Sequence, residues 1–172
     1  MINLTNRLFP FNIISLEQFI DDKKDIHVYV DTSGSLSEHE YGPVMKYIIA
    51  FAKQQNVNIS FSSFTTELSP VTKLDINDST EEMYNTFLNT EKDIGGTDFE
   101  PVWQDCLENN NDKLVFIISD MDYSPPTNVF KHPNNLYYIP TNGYPKFVTE
   151  ASNQFITKMK WHNYDLENKM VI

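Results

Sequence analysis

Short apolar runs alternate along this chain with longer segments in which apolar residues recur at helical spacing. Residues 26–30 and 114–118 are nearly continuous apolar runs, a pattern typical of parallel strands buried on both faces. Residues 57–64 alternate between apolar and polar side chains, and residues 136–139 are again apolar. These four segments predict four strands of a central sheet.

A hairpin is predicted between the strand at residues 57–64 and the segment at residues 67–75. Thr65 and Thr66 lie between the two segments and suggest a tight turn, although neither residue favours a positive φ. Pro70 cannot donate a backbone hydrogen bond, so the second segment is expected at an edge of the sheet.

Helical patterns lie between the strands. Ser37 and Glu40 form the signature of a capping box, and Val44, Ile48 and Ala52 then recur at helical spacing up to about residue 53. Further helices are predicted over residues 79–88, 100–107 (with Pro101 in the first turn) and 149–159, with a short helical lead-in over residues 15–20.

Strands that alternate with helices predict βαβ units. We therefore expect a doubly wound, Rossmann-like α/β fold. Its central sheet is mostly parallel with an antiparallel edge strand, and helices cover both faces. A chain of 172 residues is expected to form one domain. We divide it into a lead-in segment at 1–25, the main domain at 26–150, and a C-terminal helix and tail at 151–172 packed on that domain.

Composition narrows the class of function. Lys and Arg number 13 against 24 Asp and Glu, giving a formal net charge of −11, which argues against binding to nucleic acid or to an anionic membrane. A single cysteine, Cys106, excludes an intrachain disulfide and a CxxC site. The chain has no apolar stretch of transmembrane length and no clear signal peptide, so we expect a cytoplasmic protein. Its many lysines and asparagines, with one arginine, suggest an AT-rich bacterial or phage genome.

Two of the predicted strands end in acidic, hydroxyl-rich turns. Asp31, Ser33 and Ser35 follow the first strand, and Asp120 follows the run at residues 114–118. Ligands of doubly wound sheets bind beyond the carboxyl ends of the strands, where the strand order reverses. If these two strands are neighbours, both acids face one crevice. Carboxylate and hydroxyl oxygens suit a hard cation, Mg²⁺ above all and also Mn²⁺ or Ca²⁺.

The order of these residues resembles the metal-ion-dependent adhesion site of von Willebrand factor A-like (VWA-like) domains. The matching positions are the D-x-S-x-S run that starts at Asp31, then Thr97, then Asp120. The context Gly95-Gly96-Thr97-Asp98 is similar to a bacterial branch in which a VWA-like domain follows a metallopeptidase-like region. The resemblance extends over about residues 26–148.

This resemblance implies a set of metal ligands and a kind of partner. Ser33 and Ser35 would coordinate the metal directly, Asp31 and Asp120 directly or through water, and Thr97 in either way. The remaining coordination position would take a carboxylate of a protein partner, and relatives of this branch suggest a MoxR-type AAA+ ATPase or its client. Two features depart from the family. Met121 stands where a glycine is usual, and there is no HExxH motif, so no protease function is implied.

Simpler interpretations of these residues exist. Asp31 suits an ordinary turn, Thr97 could be the N-cap of the following helix, and Asp120 could merely end a strand. Asp98 and Asp122 are expected to be solvated or to lie behind the ligands rather than to bind a metal directly.

The alternative function is a metal-dependent phosphoryl-transfer or hydrolytic enzyme that uses the same Asp/Ser crevice. Phosphoryl transfer through an aspartate needs a second acid near position 33 and a later lysine, but position 33 is serine and no lysine closely follows Asp120. A serine hydrolase needs G-x-S-x-G, which is absent. We therefore predict a binding module with no catalytic residues.

Overall fold

The computed structural model describes residues 13–14, 16–122, 131–141 and 155–156 of the chain. Within this part, seven strands and three α-helices form a single layered α/β unit. The strands are β1 (Ile13–Ile14), β2 (Ile26–Asp31), β3 (Ile59–Phe64), β4 (Thr72–Leu74), β5 (Leu114–Ser119), β6 (Leu136–Pro140) and β7 (Phe155–Ile156). The helices are α1 (Glu38–Gln55), α2 (Thr80–Asn89) and α3 (Glu100–Asn109), with a 3₁₀ turn at Leu16–Phe19.

The described strands form one sheet in the order β1-β7-β6-β5-β2-β3-β4. β4 pairs antiparallel with β3 at one edge, and the other pairs of described strands are parallel. The chain runs outward from β2 to β3 and β4, and then returns to β5 on the other side of β2. The strand order therefore reverses between β2 and β5, which is the position where doubly wound sheets bind ligands.

Helices cover both faces of the sheet. On one face, Val28, Val30 and Phe116 are fully buried in a core that also contains apolar residues of α1 and α2. On the other face, Tyr29 and Ile117 are buried with the apolar side of α3. Successive residues of a strand point to opposite faces, so the continuous apolar runs in β2 and β5 supply both cores. The predicted fold class is confirmed.

The helix starts agree with the sequence signals. In α1 the backbone N–H of Ser37 donates to Glu40 Oε2 at 2.7 Å. In α2 the N–H of Ser79 donates to Glu82 Oε2 at 2.8 Å, and Ser79 Oγ accepts from the N–H of Glu82 at 3.2 Å. None of the helices in the described part of the chain is long and apolar enough to cross a membrane.

The structure corrects two local predictions. Phe64 bridges to Leu68, so the turn after β3 holds three residues rather than two. A two-residue turn needs positive φ, which neither threonine adopts. The helix predicted over residues 149–159 is wrong at Phe155–Ile156, which form β7 between β1 and β6. Pairing with the sheet outweighs the weak helical pattern there, and the rest of that range lies outside the described residues.

Candidate metal centre

The predicted site lies where β2 and β5 end side by side. The two strands pair in parallel from Ile26↔Leu114 to Val30↔Ile118. Asp31 and Ser119 are the last residues of their strands, and Asp120 follows directly. The two acidic turns are therefore neighbours at the point where the strand order reverses, as the sequence analysis required.

Asp31 is held by two hydrogen bonds in a buried position. Its side chain is 0% exposed. Oδ1 accepts from the backbone N–H of Ser33 at 2.9 Å, and Oδ2 accepts from the hydroxyl of Ser119 at 2.6 Å. Burial raises the pKa of the Asp31 carboxyl, and the negative charge of Asp120 raises it further, although hydrogen bonds from Ser119 and from the backbone and side chain of Ser33 act in the opposite direction. Burial and the nearby negative charge thus disfavour the ionised form of Asp31, and a bound cation would favour it.

The serine hydroxyls of the turn after β2 meet beside this carboxylate. Ser33 Oγ and Ser35 Oγ are 3.2 Å apart, with Ser33 buried and Ser35 exposed. The backbone N–H of Leu36 donates to the carbonyl of Ser33 at 3.1 Å, which closes the turn. The alternation of residues 33 and 35 therefore places two neutral oxygens together near the Asp31 carboxylate.

The loop that carries Thr97 is attached to the same turn. The hydroxyl of Thr32 donates to the carbonyl of Asp93 at 2.7 Å, and the N–H of Gly34 donates to the carbonyl of Gly95 at 3.1 Å. A Cβ atom added to Gly95 would lie 3.3 Å from the Cβ of Thr65. A larger residue would therefore crowd the strand end, which explains one of the two glycines.

Thr97 itself is half-buried in this loop. It is not the N-cap of α3, because that position is Phe99. Asp98 stabilises the start of α3, since its Oδ1 accepts a hydrogen bond from the N–H of Glu100 at 2.9 Å. The structure thus brings the Thr97 loop to the turn after β2 through backbone contacts at residues 93 and 95.

The loop after β5 keeps a tight shape without a glycine. Met121 has φ 65°, in the left-handed region, where a non-glycine residue costs about 1–2 kcal/mol. Its side chain is fully buried, and its N–H donates to Ser119 Oγ at 3.0 Å. Asp120 is half-buried, and its Oδ1 accepts from the N–H of Asp122 at 3.1 Å. Burial of the Met121 side chain and the hydrogen bond to Ser119 therefore offset the conformational cost of a positive φ at a position where a glycine was expected.

The donor set is composed of hard oxygens. Within the described residues, three or more histidine, cysteine, aspartate or glutamate side chains do not gather anywhere as a group that could hold a metal ion. A cation here would depend on two carboxylates supplemented by hydroxyls, which is a composition suited to Mg²⁺ rather than to Zn²⁺. Both oxygens of Asp31 accept hydrogen bonds, yet each keeps a second lone pair.

Sequence reasoning assigned no role to two residues that shape the site. Ser119 orients Asp31, and Thr32 attaches the Thr97 loop. Both are hydroxyl residues next to a predicted ligand, which is the only sequence signal that could have identified them.

Comparison with known proteins gives little further information. No family model matches the chain, and no curated protein matches it. Among solved structures, proximal thread matrix protein 1 from the mussel byssus is similar, with 14% sequence identity and a TM-score of 0.46. The match covers 69% of this chain and 37% of the mussel protein, so the chain spans little more than a third of that protein's length. At this identity and TM-score the likeness carries no conclusion about family or function.

Proposed function

We propose that this chain is a VWA-like module that binds a divalent cation and uses it to recognise a protein partner. The observation that carries the proposal is the buried Asp31 carboxylate at the junction of β2 and β5. A buried carboxylate with a raised pKa, beside a second carboxylate, is costly unless a positive charge compensates it. A cation at this position would supply that charge.

Five residues would hold the cation: Asp31, Ser33, Ser35, Thr97 and Asp120. The bound cation would act as a Lewis acid that attracts an external oxygen ligand. Two carboxylates balance the two positive charges of Mg²⁺, and the three hydroxyls add no charge. Because Mg²⁺ takes six oxygen ligands, five from the protein leave one position for a further hard oxygen. We expect Mg²⁺ in this position and consider Mn²⁺ and Ca²⁺ as alternatives of the same chemistry.

The partner would donate an aspartate or glutamate to the cation. Because the chain carries a net charge of −11, an acidic surface would be repelled at long range, and the partner surface around that carboxylate should be neutral or basic. The family resemblance suggests a MoxR-type AAA+ ATPase or its client as such a partner.

The arrangement favours a binding module over an enzyme. A hydrolase that used Ser33 or Ser35 would need a base beside the hydroxyl. Of the histidines that the structure describes, His27 Nδ1 contacts Ser60 Oγ at 2.8 Å, His132 Nε2 contacts the hydroxyl of Tyr138 at 2.9 Å, and His39 is exposed on α1. The two serine hydroxyls contact each other, and the side-chain group that Ser33 meets besides Ser35 is the Asp31 carboxylate, which the proposal assigns to the metal.

Metal binding and affinity capture together test the proposal. Calorimetric titration with Mg²⁺ and Mn²⁺ should show one site in the wild-type chain and none in Asp31→Asn. Capture from a lysate should then retain a specific partner in Mg²⁺ and release it in EDTA. Lack of Mg²⁺ and Mn²⁺ binding, or equal binding by Asp31→Asn, would refute the metal site. A partner retained equally in EDTA would refute its role in recognition.

A further inference from the structure

A single large apolar side chain projects from the loop beside the candidate metal centre. Ile94 is 84% exposed, compared with 53% for Val71 and 47% for Ile20. Scattered exposed apolar residues are ordinary on protein surfaces. The position of Ile94, rather than its exposure alone, is what distinguishes it.

The backbone on both sides of Ile94 is fixed to the turn after β2. Asp93 accepts a hydrogen bond from the Thr32 hydroxyl, and Gly95 accepts one from the Gly34 N–H. Ile94 therefore lies between two residues whose carbonyls contact the turn that carries Ser33 and Ser35. The side chain is thus held outward at the rim of the site by an anchored backbone.

The residues next to Ile94 have small side chains and are exposed. Gly34, Ser35, Gly95 and Gly96 are exposed, and a Cβ on Gly34 would meet no atom within 4 Å. A partner chain could therefore approach the backbone closely while one of its side chains lies against Ile94.

The charge around this rim is acidic. Asp93 directly precedes Ile94 and Glu91 lies three residues before it, and both side chains are exposed. Lys92 attracts Glu38, but its ammonium group is half-buried and donates to the carbonyls of Phe87 at 2.5 Å and of Thr90 at 2.9 Å, at the end of α2. A segment that docks here must therefore bring positive charge along with any apolar side chain.

We propose that Ile94 is the apolar anchor of the partner surface, and that the partner is a basic polypeptide segment with an apolar side chain next to its metal-binding carboxylate. This inference rests on the proposed function, which supplies the carboxylate contact. The inference adds a source of sequence specificity to that function. The cation selects a partner carboxylate, and Ile94 selects an apolar side chain next to it. The acidic rim selects lysine or arginine on either side.

Defined peptides test the inference. The first probe is the blocked peptide Lys-Leu-Asp-Lys together with its reversed-centre form Lys-Asp-Leu-Lys. The comparison peptides replace leucine by alanine, or aspartate by asparagine. Each is titrated against wild type, Ile94→Ala and the matched control Val71→Ala, in Mg²⁺ and in EDTA, by calorimetry and by the shift of isoleucine methyl signals.

We expect one of the leucine peptides to bind wild type about five-fold more tightly than its alanine counterpart, as burial of part of a leucine side chain allows. Val71→Ala should keep this preference and Ile94→Ala should lose it. A missing preference, a preference that persists in Ile94→Ala, or no binding by any peptide would overturn the inference.

The same experiment separates this inference from the proposed function. If the alanine peptide binds in Mg²⁺ but not in EDTA and leucine adds nothing, the apolar anchor is wrong while metal-dependent recognition stands. If the leucine preference depends on Ile94 but binding is equal in EDTA or with asparagine, the carboxylate–metal contact fails while the apolar contact stands.

Discussion

The most direct consequence of the site is that Mg²⁺ should stabilise the fold through Asp31. A cation present at about one hundred times its dissociation constant adds about 2.7 kcal/mol to the free energy of unfolding. For a chain of 172 residues this corresponds to a rise in melting temperature of about 5–10 °C. The effect should be absent once the buried carboxylate is neutralised.

The structure determines which substitution gives a clean test. Asp31→Ala would leave the Ser33 N–H and the Ser119 hydroxyl without their present acceptor, at a cost of about 1–3 kcal/mol for each buried group. Asp31→Asn is isosteric and can keep both contacts, because Ser119 can rotate its hydroxyl to accept. We therefore expect Asp31→Asn in EDTA to be at least as stable as wild type, and Asp31→Ala to be clearly less stable.

Thermal and urea unfolding in EDTA and in Mg²⁺ provide the assay. Asp75→Asn is the matched control, because Asp75 Oδ1 accepts from the Asn77 N–H at 2.9 Å in the same kind of turn but away from the site. Wild type and Asp75→Asn should both gain stability from Mg²⁺, whereas Asp31→Asn should gain little. An equal gain in Asp31→Asn and wild type would show that the cation binds elsewhere and would refute the reasoning.

Four further predictions follow from the same geometry. In EDTA the ionised Asp31 carboxylate lowers the free energy of unfolding at pH values above its raised pKa. Asp31→Asn should therefore exceed wild type in free energy of unfolding most at neutral pH. This difference should shrink as the pH falls through the raised pKa towards the ordinary aspartate pKa of about 4, as measured by urea unfolding across pH. Ser119→Ala removes the bond to Asp31 and the acceptor for the Met121 N–H; urea unfolding should show a loss of about 2 kcal/mol, together with weaker Mg²⁺ binding in calorimetry. Thr97→Ala should change the free energy of unfolding by no more than about 0.5 kcal/mol while it weakens Mg²⁺ binding, because a half-buried loop hydroxyl contributes little packing. Assays with generic phosphate and ester substrates in Mg²⁺ should detect no turnover; turnover that disappears in Ser33→Ala would favour the enzyme alternative.

The sequence by itself determined the elements that supply the site. The nearly continuous apolar runs predicted β2 and β5 as strands buried on both faces. The capping-box signal at Ser37 placed the start of α1, and the start of α2 was predicted at Ser79 or Thr80. These features are local, since they depend on the residue types within one strand or one turn of helix. The D-x-S-x-S spacing was likewise readable, because it lies within one short segment.

Only the tertiary structure decided how these segments meet. β5 begins at Leu114, 83 residues after Asp31, and yet it pairs with β2. This pairing is a property of the sheet order and not of either strand. The bond from Ser119 to Asp31 and the raised pKa depend on that pairing. The positive φ of Met121 likewise contradicts its local preference and is maintained by burial.

The helix predicted over residues 149–159 gives the same lesson in reverse. A weak helical pattern was the local signal, but Phe155–Ile156 form a strand because β1 and β6 offer backbone partners on either side. Hydrogen bonding between strands joins residues far apart in sequence, so its energy is invisible to any window along the chain. Local patterns therefore determined the parts, and long-range pairing determined the site that they form.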